Sequence, residues 1–357
     1  MLFTFILSLI SFVVLIIFKG INFTYLNSLY DFISFKTLAL LSMFIAVNKS
    51  LELIGAFKLL AFYVLNKITK LKTIAILLIL ICFFSSMLVT NDVALLCFVP
   101  FSIYLLKELK AKKFTMQIII LQTIAANLGS MLTPFGNPQN LFIFTYFHLD
   151  FLSFFKSTYI YCFISLILLF IFTINIKNKN IKLKNLIKTQ INQKLFIQNL
   201  ALFFISILCV SDILNIFLGF FIVFISLFIS NKNAIFKADF SLIIIFINLF
   251  IFVKNISYFI SIKEFDIFYL SIFLSWIISN VPACVFLASF TNDYKELLLG
   301  VNIGSLGTLI ASMASLISYK YYINSYKNKA FKYIINFTWI NIVFLIILVV
   351  FKELSRI

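Results

Sequence analysis

The chain alternates long apolar runs with short segments that hold most of its lysines. A helix needs about 20 apolar residues to cross the hydrocarbon core of a bilayer, which is roughly 30 Å thick. Nine runs fit one span each, at 1–18, 37–48, 114–147, 157–176, 195–211, 213–230, 240–253, 297–319 and 333–351. The pattern therefore predicts an all-α polytopic membrane protein. Because the first run has no basic start and no small-residue cleavage site, we expect a retained span rather than a signal peptide.

Two further apolar runs have polar centres and do not fit a simple span. The run 267–290 contains Ser279-Asn280-Val281-Pro282 in its middle, and the run 73–106 contains Thr90-Asn91-Asp92. Half of the run 267–290 rises about 18 Å as a helix, which passes the membrane midplane without crossing the bilayer. We therefore predict two re-entrant helical hairpins, each of which turns inside the membrane and leaves by the face it entered.

The distribution of lysine predicts that the two hairpins enter from opposite faces. The feet of the first hairpin, 66–72 and 107–113, are rich in lysine, which is typical of cytoplasmic loops. The feet of the second hairpin, 254–266 and 291–296, carry no net positive charge. Over all loops, the predicted inner segments hold the net charge of +17 and the predicted outer segments hold none. This places the N-terminus inside and the C-terminus outside.

Two charged segments organise the chain between its spans. The segment 177–194 contains six lysines and no acid, so we expect a cytoplasmic linker between an N-terminal repeat, 1–176, and a C-terminal repeat, 195–357. The segment 50–66 is ambiguous, and we favour an interfacial arm that leads to the first hairpin. If this segment crosses the membrane instead, the chain has ten spans and its N-terminus is outside.

The composition excludes most functions of soluble proteins. Hydrophobic residues make up 63% of the chain and charged residues 11%, whereas soluble domains are nearer half apolar and a quarter charged. We therefore interpret the basic balance as membrane topology rather than nucleic-acid binding, and expect a lipid bilayer, the cell's inner (plasma) membrane, as the surroundings. The five cysteines show no metal-ligand spacing. Without a phosphate loop or a Ser/His/Asp set, we expect neither an enzyme nor a bound cofactor.

A short internal repeat relates the two halves at one fixed offset along the chain. The segment 126–140 follows the first hairpin, and the segment 301–315 follows the second. The identical pairs are Asn127/Asn302, Gly129/Gly304, Ser130/Ser305 and Thr133/Thr308. Together with the opposite entry faces of the hairpins, these pairs predict two inverted repeats. Inverted repeats with interrupted helices are typical of secondary transporters, whose substrate site lies at the repeat interface near the midplane.

Each repeat segment lies in a span whose helix we expect to be broken. The run 114–147 has no charge but contains the helix-breaking or amide residues Asn127, Gly129, Pro134, Gly136, Asn137, Pro138, Gln139 and Asn140. Backbone groups freed by such a break cannot face lipid and must be buried in protein or line a water-filled cavity. The small residues of 297–319 fit either a site or close helix packing, and the sequence leaves both open.

Asp92 is the acidic residue that lies deep in a predicted membrane segment, whereas the other acidic residues lie at span ends or in loops. An ionisable side chain in the membrane is costly and is usually functional. We hypothesise that Asp92 binds or releases the coupling cation, which is H⁺ or Na⁺, with Asn91 as a second candidate ligand for Na⁺. The alternative is a carboxylate that caps the second arm of the hairpin.

The opposing hairpin tip carries Ser279 and Asn280 and no acid. Hydroxyls, amides and helix N-termini donate hydrogen bonds without a fixed countercharge, so they suit a small anionic or polar, oxygen-rich solute. The amides of Asn91 and Asn280 both donate and accept, which makes them our best candidates for contacts with the solute or the ion. Capping of the hairpin turn is the alternative role for each.

The residues around the first hairpin and its break resemble a known family. Thr90-Asn91-Asp92 with the following residues to Pro100, and the stretch from Asn127 to Asn140, are similar to the ion transporter superfamily. Its members include arsenite permeases, citrate–metal symporters, divalent-anion/sodium symporters and some sodium/proton antiporters. The resemblance covers about 36–320. It implies two inverted repeats, each with a re-entrant hairpin and an unwound helix, and elevator-like motion, often in a homodimer.

Carried over position by position, the resemblance implies a substrate or ion site. Its residues are Thr90, Asn91, Ser279 and Asn280 at the tips, Asn127, Gly129, Thr133, Pro134, Gly136 and Asn137 in the first break, and Asn302, Gly304 and Thr308 in the second. Sodium–dicarboxylate members have Ser-Asn-Thr at both tips, whereas these tips are Thr-Asn-Asp and Ser-Asn-Val. The first tip is more similar to the arsenite-permease and citrate–metal branches.

Residues and resemblance together predict a secondary active transporter of a small anion or oxyanion, coupled to H⁺ or Na⁺. The candidate solutes are an organic anion, such as citrate or a dicarboxylate, and an arsenite-type metalloid. The alternative is a Na⁺/H⁺-type cation antiporter in which Asp92 is the ion site. Two hairpins that enter from opposite faces disfavour a simple channel.

Overall fold

Helices form nearly all of the described chain. The structure is a computed structural model that describes residues 5–6, 8–13, 33–65, 68–174, 176, 178, 180, 190–256 and 265–355. Among these residues there is no β-strand, and one isolated bridge joins Lys70 to Asn180. The predicted first span, 1–18, and the predicted linker, 177–194, lie largely outside the described residues. The prediction of an all-α polytopic membrane protein is confirmed.

Residues 33–174 contain seven α-helices. They are α1 Phe35–Leu53, α2 Ala56–Leu65, α3 Leu71–Ser85, α4 Asn91–Glu108, α5 Lys112–Gly129, α6 Pro138–Tyr146 and α7 Phe151–Thr173. The helices α3 and α4 are the two arms of the first predicted hairpin. The predicted broken span is divided into α5 and α6, and α7 is the last span of this half.

The described part of the second half repeats this order. Its helices are α8 Gln193–Val210, α9 Ile216–Phe236, α10 Ser241–Ile256, α11 Ile267–Ile278, α12 Asn280–Ala288, α13 Tyr294–Ile303, α14 Met313–Ser325 and α15 Ala330–Leu354. The helices α11 and α12 are the arms of the second hairpin, and α13 and α14 are the parts of the second broken span. The shared order agrees with a repeat, while the inverted relation of the halves stays a prediction.

Polar residues at the ends of the apolar runs start many helices. The N-caps whose side-chain oxygens accept a backbone N–H are Ser34, Asn137, Asp150, Asn192, Asn215, Asp266 and Asp293. Such caps satisfy N–H groups that have no partner inside the helix. At the start of α7, the hydroxyl and the N–H of Ser153 donate to Asp150, which lowers the pKa of this exposed carboxyl below its usual value.

Five helical segments among the described residues are long and apolar enough to cross a membrane. They are Lys112–Leu132, Phe151–Thr173, Gln193–Val210, Ile216–Phe236 and Lys327–Leu354. The bent pair of α1 and α2 raises the number to six. Of the other predicted spans, the first lies largely outside the described residues, α10 has 16 residues, and one is divided between α13 and α14. These three stay predictions.

A bend of 60° separates α1 from α2. It lies at Ile54 and Gly55, where Gly55 adopts a φ of 80°, a backbone conformation that costs glycine little. The helix α1 therefore continues past residue 48, where the sequence predicted its end, and residues 50–65 are divided between two helices. An interfacial position of this segment stays a prediction. With ten residues, α2 rises about 15 Å, which is too short to cross a bilayer by itself.

Contacts between distant segments agree with the predicted arrangement of loops. Predicted outer segments contact other outer segments, and predicted inner segments contact inner ones. The pairs are Lys36–Asp212 and Lys352–Glu296 outside, and Lys70–Asn180 and Lys107–Tyr326 inside. These contacts support the charge-based topology, and the orientation in the membrane stays a prediction.

Lys352 is buried near the end of α15, although the sequence placed it in an outer tail. Its side chain is 3% exposed, and Nζ lies 2.7 Å from a carboxylate oxygen of Glu296. The same Nζ lies 4.0 Å from the centre of the Phe268 ring. Because the carboxylate and the ring face replace water around the ammonium group, the lysine can be buried where α11, α13 and α15 begin or end.

We expect Glu296→Gln to destabilise the protein more than Lys352→Met does. The first change leaves a buried ammonium group without this carboxylate, which costs up to about 3 kcal/mol. The second change leaves Glu296, whose side chain is 22% exposed and can reach water. Glu353, at 3.5 Å from Lys352, is unchanged in both variants. Thermal unfolding in detergent compares the stability of the two purified variants. A larger loss of stability for Lys352→Met would contradict the prediction.

Candidate functional site

The tip of the first hairpin contacts the break that follows it. Thr90 is the N-cap of α4 and makes no side-chain capping bond, and Asn91 is the first residue of that helix. The N–H of Asn91 donates to the carbonyl of Gly136 at 3.0 Å. The side-chain Nδ2 of Asn91 donates to Oδ1 of Asn127, also at 3.0 Å. The tip is therefore held against both sides of the first break.

The tip of the second hairpin makes the same backbone contact. Ser279 ends α11 and precedes α12, with a φ of 75° that reverses the chain within one residue. The N–H of Asn280 donates to the carbonyl of Ala311 at 3.0 Å. Gly136 and Ala311 are related by the same offset that relates the sequence repeats. The two halves therefore bind their tips by equivalent backbone groups.

The threonines of the two breaks also occupy equivalent places. The hydroxyl of Thr133 donates to the carbonyl of Met87 at 2.5 Å, and that of Thr308 donates to the carbonyl of Trp276 at 3.4 Å. Met87 and Trp276 each lie four residues before the asparagine of their hairpin tip. Each threonine thus bonds its break to the chain just before the tip of its own hairpin.

The two breaks contact each other through a crossed pair of hydrogen bonds. Nδ2 of Asn137 donates to Oδ1 of Asn302 at 3.1 Å, and the hydroxyl of Ser312 donates to Oδ1 of Asn127 at 3.1 Å. Asn137 and Ser312 are related by the repeat offset, as are Asn127 and Asn302. A residue after each break therefore contacts the asparagine before the other break, which makes one site from both halves.

Six asparagines are buried at this meeting point. Each is at most 4% exposed, and they are Asn91, Asn127, Asn137, Asn140, Asn280 and Asn302. Nδ2 of Asn302 donates to Oδ1 of Asn140 at 2.7 Å. By contrast, Nδ2 of Asn127 has no hydrogen-bond partner among the described residues. The site therefore presents one buried donor that no described group of the chain satisfies.

Gly129 and Gly304 allow the broken helices to pack closely against the first arms of the hairpins. A Cβ atom at Gly129 would lie 2.3 Å from the carbonyl oxygen of Phe83, and one at Gly304 would lie 2.9 Å from Cα of Ile272. Phe83 and Ile272 each lie eight residues before the asparagine of their tip. Both glycines thus lie close to the first arm of their hairpin, and Gly304 also lies close to Gly300 of its own helix, which favours the packing interpretation for both.

We expect Gly129→Ala to destabilise the protein by about 1–3 kcal/mol, because the added methyl group forces α5 away from α3. The effect is expected to exceed that of Gly304→Ala, whose Cβ meets the first arm of its hairpin at 2.9 Å rather than 2.3 Å. Thermal unfolding of both variants in detergent measures the two losses. If the Gly129→Ala protein is as stable as the parent, the contact between α5 and α3 at Gly129 is not tight.

Asp92 follows Asn91 in the first turn of α4, where the helix dipole favours a negative charge. Its N–H donates to Oδ1 of Asn91 at 2.9 Å. Its side chain is partly buried, and no described residue forms a hydrogen bond or an ion pair with the carboxylate. The carboxylate and Oδ1 of Asn91 are the groups that could hold a Na⁺ ion. Within the described residues, no group of three or more His, Cys, Asp or Glu is placed to hold a metal.

A cavity of about 370 Å³ lies beside the first break. Its lining residues are Leu132, Thr133, Pro134, Phe135, Phe151, Leu152 and Phe155. Because these side chains are almost all apolar, the cavity does not suit a polar solute. Pro134 therefore contributes to an apolar lining.

The sequence did not identify three residues of this arrangement. Ser312 and Ala311 differ in type from their counterparts Asn137 and Gly136, so identical pairs do not reveal them. The repeat offset itself would have located both. Asn140, which also donates to the carbonyls of Ser130 and Thr133, was noted as an amide in the break but not as a site residue.

Three proteins of known sequence are similar to the chain. One is described as an uncharacterized transporter of Methanocaldococcus jannaschii, 33% identical over 73% of this chain and 74% of that protein. The inner membrane protein YbiR of Escherichia coli is 26% identical over 80% of this chain and 79% of that protein. A putative transporter of Dictyostelium discoideum, arsB, is 32% identical over 34% of this chain and 22% of that protein.

The model of a family described as citrate transporter matches residues 1–292. This match covers most of the chain and includes both hairpin tips and the first break. The resemblance to the ion transporter superfamily is confirmed, and the chain is a multi-pass membrane transporter. The chain belongs to the citrate transporter family.

Proposed function

We propose that the chain is a secondary active transporter that moves a small anion or oxyanion-like solute and couples this movement to H⁺ or Na⁺. The solute binds between the two hairpin tips, where the breaks of both halves meet. The observation that carries the proposal is the buried amide of Asn127, whose Nδ2 has no partner among the described residues.

The hydrogen-bonding groups of the site suit oxygen atoms of a solute. A buried donor without a partner costs about 1–3 kcal/mol, and an oxygen of the solute removes this cost. The N-termini of α4 and α12 add N–H groups and a favourable dipole for negative charge. The residues named for the site include no lysine or arginine. These features fit a carboxylate, as in citrate or a dicarboxylate, and they also fit an arsenite-type metalloid.

Asp92 is the proposed coupling residue. A carboxylate without a described partner gains a proton or a Na⁺ ion more readily than one that is already paired with lysine or arginine. Because Asp92 follows Asn91, a cation bound to Asp92 lies at the hairpin tip that contacts Asn127. Binding of the solute and of the cation are thus coupled through the first hairpin.

A Na⁺/H⁺-type cation antiporter is the second candidate function. The observation that favours it is the same unpaired carboxylate, which by itself can exchange a proton for a cation. In this case the asparagine cluster holds the tips together and binds no solute. Flux of protons or Na⁺ in proteoliposomes that contain no other solute would support this candidate.

We further propose that the chain acts in the cell's inner (plasma) membrane, since the relative YbiR is named an inner membrane protein. Elevator-like motion and a homodimer follow from the family resemblance. The bilayer and the solute are the partners that this function requires, and nucleic acid is not among them.

A thermal-unfolding screen of the purified protein tests the proposed function. The screen adds citrate, succinate, arsenite or sulfate, each with and without Na⁺ and at two pH values. A ligand at about 100 times its Kd stabilises the native state by about 2.7 kcal/mol. We expect at least one of these solutes to raise the unfolding temperature. Stabilisation by Na⁺ alone, with no response to any solute, would favour the antiporter instead.

A further inference from the structure

The helix α14 carries a file of buried hydroxyl groups that leads away from the site. Ser312 is the N-cap of this helix, and Ser315 and Ser318 follow at intervals of three residues. Residues three or four positions apart lie on the same face of a helix, and Tyr322 continues this face. All four residues are at most 2% exposed. The file lies in a helix that packs against α4 and α5.

Two hydroxyls of the file have no hydrogen-bond partner among the described residues, namely those of Ser315 and Ser318. A serine in a helix commonly donates to the carbonyl four residues earlier. For Ser315 this is the carbonyl of Ala311, which already accepts from the N–H of Asn280 at 3.0 Å and from the hydroxyl of Ser279 at 3.5 Å. A buried hydroxyl left unpaired costs about 1–3 kcal/mol, so these groups favour a partner other than the described residues.

The end of the file at Ser312 lies in the candidate site. The hydroxyl of Ser312 donates to Oδ1 of Asn127 at 3.1 Å, and Nδ2 of Asn127 is the unpaired donor of the site. Besides the two serine hydroxyls, this donor is a further polar group without a described partner. It belongs to α5 and lies at the same end of the file. The site and the file are therefore continuous.

The other end of the file, at Tyr322, lies beside a group of tyrosines and lysines. The ring of Tyr322 stacks on that of Tyr326, with the ring centres 4.9 Å apart. Lys107 and Lys329 each place Nζ within 5.7 Å of the centre of the Tyr326 ring. The hydroxyl of Tyr326 is buried and has no partner among the described residues. Because both lysines belong to predicted inner segments, the file points to the inner face.

The spacing of the file fits water molecules. A helix rises 1.5 Å per residue, so successive serines differ in depth by about 4.5 Å. One water with two hydrogen bonds of about 2.8 Å spans this distance. Lipid offers no hydrogen bonds, whereas internal water commonly satisfies buried polar groups. We propose that a file of water molecules lies along Ser312, Ser315, Ser318 and Tyr322 and connects the site to the inner face.

Cysteine substitution tests this proposal without a transport assay. In Ser315→Cys and Ser318→Cys, the new thiol replaces a hydroxyl of similar size, so folding is expected to persist. Leu316→Cys is the matched control, because Leu316 is on the same helix and is 37% exposed on the outside of the protein. The probe is a small, charged methanethiosulfonate reagent added to the inner side of membrane vesicles. The wild-type protein gives the background from its own cysteines.

A thiol reacts as the thiolate, which needs water, so we expect labelling at 315 and 318 to be at least about 10-fold faster than at 316. The proposal would be overturned if Ser315→Cys and Ser318→Cys were both labelled as slowly as Leu316→Cys. Labelling from the outer side alone would also overturn it. If Ser315→Cys does not fold, Ser318→Cys decides by the same comparison. Because the assay requires no solute, its failure leaves the proposed transport function untouched.

Discussion

Asp92→Asn is expected to abolish solute accumulation that is driven by an ion gradient, while the protein remains folded. The substitution keeps the size of the side chain and removes its charge, so the cation loses its proposed ligand beside Asn91. Contacts with a charged group are worth about 1.5–3 kcal/mol, which corresponds to about 10- to 100-fold weaker cation binding. Uptake into proteoliposomes under a pH or Na⁺ gradient measures the effect.

Asp150→Asn is the matched control for this prediction. Asp150 is an exposed N-cap at the start of α7, and asparagine caps a helix as well as aspartate does. The same chemical change is therefore made outside the site, and we expect full gradient-driven uptake. Thermal unfolding in detergent checks that both variants are folded. Gradient-driven accumulation that persists unchanged in Asp92→Asn would refute the coupling role of Asp92.

Asn127→Ala is expected to weaken solute binding by about 10- to 100-fold, because it removes the unpaired Nδ2 donor of the site. It also removes the oxygen that accepts from Asn91 and Ser312. Each buried partner left behind costs about 1–3 kcal/mol of stability. Asn127→Asp keeps an oxygen for these two partners, loses the donor and adds a buried carboxyl group. We therefore expect it to keep the hydrogen bonds of Asn91 and Ser312 but not to restore binding of an anion.

Asn341→Ala provides the control for loss of a buried asparagine. Asn341 lies in α15, is fully buried, and donates to the carbonyl of Phe337 in its own helix. We expect this variant to lose stability and to keep the solute affinity of the parent. Isothermal titration with the solute found in the thermal screen compares the variants. Equal losses of affinity in Asn127→Ala and Asn341→Ala would show that the effect is general destabilisation.

The sequence predicted the backbone plan of the site because broken helices leave strong local signals. Pro134 and Pro138 cannot continue a helix, and the amides around them cannot face lipid. The polar tips at Asn91 and Asn280 interrupt runs that are otherwise apolar. These signals predicted the interruptions between α3 and α4, between α5 and α6, between α11 and α12 and between α13 and α14. Entry of the hairpins from opposite faces stays a prediction. The repeat offset by itself relates Asn127 to Asn302.

The contacts between the halves could not be predicted in this way, because they depend on side chains that differ in type. Asn137 contacts Asn302, whereas its counterpart Ser312 contacts Asn127 through a hydroxyl. The hairpins also differ in length, since α4 has 18 residues and α12 has 9. The two tips are therefore farther apart along the chain than the two breaks are. No single offset aligns both features, and local periodicity carries no information on which surfaces pack together.

The burial of Lys352 was missed for a related reason. A lysine at the end of an apolar run normally extends to the membrane surface, and the sequence pattern supports that interpretation. Its partner Glu296 lies far away in the sequence, and the ring of Phe268 belongs to another helix. Only the packing of three helices brings these groups together.

The most direct test of a single solute site between the hairpin tips is solute protection at the two N-cap residues. Thr90→Cys and Ser279→Cys each place a thiol at a tip without removing an asparagine of the cluster. A charged thiol reagent is applied with and without the solute that stabilises the protein, and His148→Cys, at an exposed position, reports the rate in bulk water. We predict that the solute slows labelling at both tips and leaves His148→Cys unchanged. Labelling of both tips at the His148→Cys rate, with no effect of the solute, would contradict the site.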